Sequence, residues 1–209
     1  MPRSVDFYFA VGSRYSYLAA TQIPALAAET GAQFRWRAIH GFDLIARTGQ
    51  DPFQREVRRG QYDFPYRIKD VARWALHYGV PCRHPDYRNI DWKRMVYACV
   101  AADVLGAAEK FARRLYEYCY AEAAAAVGDP ELAAIAASVG LDGSALVDAI
   151  ASSATERRHQ ENMEMAAASG AFGVPTFVTD DAELFWGQDR LPLLRDHLLG
   201  RGVPHGGAV

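Results

Sequence analysis

The chain has 209 residues, half of them hydrophobic, and a formal net charge of -2 from 23 basic and 25 acidic side chains. That length buries a sizeable core as one domain, or as one domain carrying a large insertion. Charges of both signs are scattered along it, which excludes a basic nucleic-acid-binding face and a polybasic membrane patch and leaves a small molecule as the expected partner.

No apolar run approaches the roughly 20 residues needed to span a bilayer. Met1-Pro2-Arg3-Ser4-Val5-Asp6 leads into folded sequence rather than into a signal peptide, so a cytoplasmic location is expected. Cys82, Cys99 and Cys119 form no C-x-x-C and no zinc pattern, and read as reduced, structural thiols. Cys82-Arg83-His84 with His77 upstream lacks the four ligands of a structural metal site, and no metal is expected.

Val5 to Phe9 is apolar and aromatic and predicts a buried strand. Gly12-Ser13 then turns into a helix from about Tyr15 to Glu29, with Leu18, Ile23, Leu26 and Ala27 on one face and Thr30-Gly31 as the stop. Ser13 has two readings. It is an ordinary N-cap, and it also stands where the unpaired amides and positive end of a helix favour an anion or a thiolate. Gln33 to Ile39 alternates polar with apolar and predicts a second strand, which makes a right-handed crossover unit with parallel strands.

After Gly41 the chain becomes helical and alanine-rich. Helices are predicted at about Tyr66 to Tyr78, Trp92 to Leu105, Ala107 to Ala126 and Pro130 to Ser138, with a cap at Leu141-Asp142-Gly143-Ser144 before Ala145 to Ser152. Asp70 and Arg73 are spaced for an exposed ion pair, and the run Ala123 to Ala126 reads as helix propensity. A last helix of this stretch, from about Ala154 to Ser169, ends at Gly170. Phe172 to Val178 and Glu183 to Trp186, separated by Thr179-Asp180-Asp181-Ala182, predict a hairpin, after which Gly187-Gln188-Asp189 caps a closing helix from Arg190 to Leu199.

A strand-helix-strand unit before the helices and a hairpin plus helix after them give the order of a thioredoxin-like α/β fold with a large all-helical insertion. Residues 1–41 and 170–209 are expected to form the thioredoxin-like domain and 42–169 the insertion. In such folds a proline opening the third strand, here Val174-Pro175-Thr176, is held cis beside the first helix, with the preceding backbone open to a peptide. A trans proline opening an edge strand is the other reading.

Three stretches carry a resemblance to a known family. They are Asp6 to Leu18 with Ser13-Arg14-Tyr15-Ser16-Tyr17-Leu18, then Phe172-Gly173-Val174-Pro175-Thr176-Phe177, then Phe185-Trp186-Gly187-Gln188-Asp189-Arg190-Leu191. In this order they resemble the 2-hydroxychromene-2-carboxylate isomerases, relatives of the kappa-class glutathione transferases and the DsbA-type proteins. Lys69 to Ala75 followed by Gly79-Val80-Pro81 is similar to the family's insertion.

The resemblance implies glutathione as cofactor, Ser13 as the catalytic residue against its sulfur, Val174 and Pro175 against its cysteinyl part, and Gly187, Gln188, Asp189 and Arg190 around its γ-glutamyl end. It implies cis-trans isomerisation of an unsaturated aromatic keto acid in aromatic compound catabolism, with Gln54, Arg55 and Asn89 as substrate contacts and a homodimer as the working form. A free thiol titrates near ~8.5, and a helix N-terminus with a hydroxyl donor lowers that value. Asp189 as a plain cap and Arg55, Arg58 and Arg59 as a solvated face are the competing readings.

Many members of the family have proline after the serine, where this chain has Arg14. A kappa-like transferase or thiol-dependent reductase would use the same residues but consume glutathione. A non-enzymatic binding protein of this fold would have no glutathione affinity. Ser13 and Ser16 stand where a disulfide oxidoreductase carries C-x-x-C.

Overall fold

The computed structural model describes residues 3–49 and 63–201. It begins with β1 (Ser4–Phe9), α1 (Arg14–Thr30) and β2 (Gln33–Ala38). The helical stretch follows as α2 (Gly41–Thr48), α3 (Phe64–Tyr78), α4 (Trp92–Val104), α5 (Ala108–Tyr116), α6 (Asp129–Ser138), α7 (Gly143–Ile150) and α8 (Ser153–Ala168). The chain closes with β3 (Thr176–Thr179), β4 (Leu184–Trp186) and α9 (Leu191–Leu198). The sheet order is β2-β1-β3-β4, with β1 and β2 parallel and the other two pairs antiparallel.

β1 is central and covered on both faces, which its nearly unbroken apolar run requires. Val5, Phe7 and Phe9 enter the larger core, while Tyr8 meets Ile39, Leu44, Met163 and Val178 on the opposite face. Asp6 shares that second face and receives the Arg35 and Arg37 guanidinium groups of β2, each at 2.8 Å. Register sets Phe7 opposite both Trp36 and Phe177, so the aromatic rings of three strands meet at one level. The larger core continues from these rings into α4, α5 and α6 without a break.

The stop predicted at Gly31 and the cap predicted at Asp142 operate, whereas no side chain caps α9, for which Gly187-Gln188-Asp189 is the predicted cap. Gly31 takes the left-handed conformation at φ 69° and donates to the Ala27 carbonyl, which ends α1. Asp142 caps α7 by accepting from the Ala145 amide at 3.0 Å. One residue on, Gly143 lies so close to α6 that a Cβ would stand 2.7 Å from the Ala133 carbonyl oxygen. Glycine to alanine inside a helix ordinarily stabilises, but here the clash reverses the sign. Gly143→Ala is expected to cost about 1–3 kcal/mol, read from the midpoint of urea unfolding.

Two expectations need correction. The helix predicted for Ala107 to Ala126 stops at Ala121, widening into a π turn over Glu117–Ala121, and Ala123 adopts a positive φ of 59°. The alanine run is therefore irregular chain despite its helix propensity, because tertiary bonds claim it. The Asp86 amide donates to the Ala124 carbonyl at 3.2 Å, and the Arg83 amide donates to the Tyr120 carbonyl at 2.7 Å. Asp70, expected to pair with Arg73, instead accepts the Tyr15 hydroxyl at 2.9 Å and so joins α3 to α1.

Candidate active site

Ser13 is the N-cap of α1, and its hydroxyl accepts from the Ser16 amide at 3.2 Å. Capping uses an acceptor lone pair and leaves the hydroxyl hydrogen available to donate. One conformation thus serves both readings of the Gly12-Ser13 turn. The Arg14 and Tyr15 amides take no acceptor among the described residues, and the first turn of α1 holds no acidic side chain. The positive end of the helix dipole is left uncompensated beside the Ser13 hydroxyl.

The sheet brings the proline segment to the same end. Tyr8, one residue before the end of β1, pairs with Thr176, the first residue of β3, in antiparallel register, so the Val174-Pro175 step lies at the sheet end where β1 gives way to the Ser13 turn. The Val174-Pro175 peptide is cis. Neither the amide nor the carbonyl of Val174 has a hydrogen bond among the described residues. Unpaired strand backbone of this kind can pair with an extended peptide.

Gly187 joins this edge by donating its amide to the Pro175 carbonyl at 2.9 Å. It sits at φ 111°, and a side chain there would collide with the Asp189 carboxylate. Gln188, Asp189 and Arg190 form a 3-10 turn packed against α1. Gln188 is buried, and its carbonyl accepts the Tyr78 hydroxyl at 2.9 Å. Asp189 pairs with Arg190 at 2.9 Å on the surface. Val174, Pro175 and Gly187 to Arg190 are therefore contiguous, at the sheet end that carries Ser13.

Asn89 lies in the exposed turn between α3 and α4, its amide donating to Asp86 Oδ2 at 2.8 Å. Gln54 and Arg55 lie outside the described residues. The cysteines are free thiols, with Cys99 and Cys119 buried and Cys82 half-buried. Burial raises the Cys82 pKa and the Arg14 charge offsets part of that rise. Among the described residues no cluster of three or more His, Cys, Asp or Glu could hold a metal, and no helix is long and apolar enough to cross a membrane.

Several residues that hold the site carry no motif. Tyr116 donates to the Ala10 carbonyl at 3.0 Å and Tyr120 to the Val11 carbonyl at 2.9 Å, so the chain entering the Ser13 turn is pinned from below. Tyr87 donates to the Tyr120 hydroxyl at 3.1 Å, and the Trp92 ring packs so close to Gly12 that a Cβ there would stand 3.2 Å from it. Burial pushes Tyr87 up to about 12 and Tyr120 well above the usual phenol range, so both remain protonated donors. Tyr120→Phe strands a buried carbonyl and the Tyr87 hydroxyl together. The variant is expected to lose about 1–3 kcal/mol in denaturant unfolding.

A mixed four-stranded sheet entered through a strand-helix-strand unit, a helical insertion and a cis proline at the sheet end where the first helix begins define a thioredoxin-type protein of DsbA architecture. The chain matches the DsbA-like thioredoxin domain over residues 4–199. It is 33% identical over 203 residues to a 2-hydroxychromene-2-carboxylate isomerase of Sphingobium xenophagum, covering 95% of this chain and 100% of that one. It is 31% identical over 201 residues to the enzyme of the same name from Pseudomonas putida, covering 94% of each.

A solved structure of 2-hydroxychromene-2-carboxylate isomerase matches with a TM-score of 0.80 at 29% identity, over 95% of both chains. A cytosolic disulfide reductase of Pseudomonas aeruginosa, solved with GSH, shares the fold at a TM-score of 0.62 and 18% identity, over 94% of this chain and 96% of that one. The chain belongs to the DsbA-like thioredoxin family, in its 2-hydroxychromene-2-carboxylate isomerase branch.

Proposed function

We propose that this protein is a cytoplasmic, homodimeric, glutathione-dependent isomerase of aromatic compound catabolism. Its substrate is an unsaturated aromatic keto acid of which 2-hydroxychromene-2-carboxylate is the cyclic form. The observation that carries the reading is the N-terminus of α1, where a hydroxyl with a free hydrogen, unpaired amides and an uncompensated dipole converge without a protein cysteine. Full-length similarity to isomerases at 31–33% identity supports the reaction class.

The residues present suit glutathione. Val174 offers an amide and a carbonyl to the cysteinyl backbone, as a strand edge would. The Gly187 to Arg190 turn offers a carboxylate on Asp189 for an ammonium and a cation on Arg190 for a carboxylate. Held by these residues, glutathione would supply a nucleophilic thiolate for reversible addition to the conjugated chain, a route to rotation about a former double bond that does not consume the thiol.

Ser13 donates its hydroxyl hydrogen to the sulfur, and the end of α1 favours the anionic form. Tyr116 and Tyr120 keep the backbone of residues 10–11 fixed, so the donor is already in position when charge develops. Gln54, Arg55 and Asn89 are proposed as substrate contacts on the resemblance alone.

The test is turnover in protein freed of small thiols. Adding glutathione well below the substrate concentration should restore isomerisation through many turnovers, with the free thiol undiminished at the end. Thiol loss in step with product would mark a transferase instead. Full activity without glutathione would refute the cofactor.

A further inference from the structure

Arg14 follows Ser13 directly, and its surroundings are those of an anion receptor. The guanidinium lies 4.3 Å from the centroid of the Tyr87 ring and 5.5 Å from that of Phe64. Its Nε donates to His84 Nδ1 at 3.3 Å. An accepting Nδ1 must be unprotonated, and burial together with the Arg14 charge lowers the His84 pKa, so the bond persists at neutral pH.

Among the described residues Arg14 has no carboxylate partner, in contrast to Arg35 and Arg37, which share Asp6. A guanidinium carries five N–H donors in one plane. With Nε engaged by His84, the four on Nη1 and Nη2 have no partner among the described residues, and that fork matches a carboxylate in bidentate fashion. The aromatic faces stabilise the cation without neutralising it. Tyr87 also packs on Trp92, with centroids 4.9 Å apart, and the Trp92 ring lies against Gly12. An aromatic wall therefore runs from the cation to the turn that carries Ser13.

We propose that Arg14 is the specificity-determining residue that binds the carboxylate of the aromatic substrate, its Nη fork gripping the acid while the ring lies along Tyr87 and Trp92. This assignment rests on the isomerase reading only in taking an aromatic carboxylate as substrate. A cation next to Ser13 could instead serve to lower the thiol pKa, and the two roles have different signatures.

The experiment compares wild type, Arg14→Met and Arg14→Lys in two ways. Binding of salicylate and of salicylamide, which differ in charge at one group, is titrated by NMR. In parallel, kcat and KM are measured for the keto acid across pH. Wild type should prefer the acid by about 30-fold, Arg14→Met should lose the preference, and Arg14→Lys, with charge but no fork, should keep part of it. KM should rise about 30-fold in Arg14→Met with kcat changed by less than about 3-fold.

The assignment is overturned if wild type shows no preference for the acid or if Arg14→Met retains it. It is equally overturned if Arg14→Met leaves KM alone and moves only the pH profile of kcat, the signature of a role on the thiolate. A wild type that prefers the acid through Arg14 yet shows no glutathione-dependent isomerisation would refute the isomerase reading and leave this one standing.

Discussion

Ser13→Ala is expected to lower glutathione-dependent isomerisation by about 100-fold or more, the size seen when one preorganised donor to a developing charge is removed. The variant should fold. Ser13 also caps α1 through the Ser16 amide, so the same change is expected to cost about 1 kcal/mol of stability, which leaves most domains folded. The two losses separate by comparison with Ser13→Gly. Glycine restores much of the cap but supplies no hydroxyl, so it should recover stability without activity. Near wild-type turnover in either variant would remove Ser13 from the chemistry and leave it a cap.

Phe7→Ala should produce the largest loss of stability. Phe7 is fully buried on the central strand, with ring centroids 5.1 Å from Phe9, 5.0 Å from Trp36 and 5.0 Å from Phe177. Neighbours held in two other strands cannot close the gap, so the transfer loss and the cavity add, to about 3–5 kcal/mol. Urea unfolding at an unchanged m value should show the shift in midpoint. Phe7→Leu, which keeps most of the volume, should cost much less. A loss below about 1 kcal/mol for the alanine variant would mean that the sheet and helices relax around the site and that the core is less rigid than its packing indicates.

The parts of the fold that could be read from sequence are those where local signals and the tertiary structure agree. Gly31 ends α1 because a residue without Cβ is wanted at φ 69°, and the composition of Val5 to Phe9 matches a strand covered on both faces. The Thr179 to Ala182 turn joins β3 and β4 as its residues suggest, with Ala182 at φ 66° and its amide on the Thr179 carbonyl. The Ala123 to Ala126 run failed because helix propensity amounts to only a few tenths of a kcal/mol per residue and the loop at 83–86 binds its backbone.

The site divides along the same line. Ser13, Val174-Pro175 and Gly187 to Arg190 sit in short motifs whose chemistry is local. Tyr116, Tyr120 and Tyr87 do not. Tyr116 and Tyr120, four residues apart on a helical pattern, look like ordinary core positions, and only the folded chain turns their hydroxyls to carbonyls more than a hundred residues away. The surroundings of Arg14 were equally hidden, since Phe64, His84 and Tyr87 approach it only once α3 and the loop after it dock on α1.

In the proposed arrangement the end of α1, the Val174 backbone and the Gly187 turn form one cradle with a sulfur atom at Ser13. A crystal structure of the protein with glutathione tests it most directly. The glutathione sulfur is expected within hydrogen-bond distance of Ser13 Oγ and the cysteinyl backbone paired with Val174. A sulfur resting elsewhere, with the Ser13 hydroxyl engaged only in its cap, would contradict it.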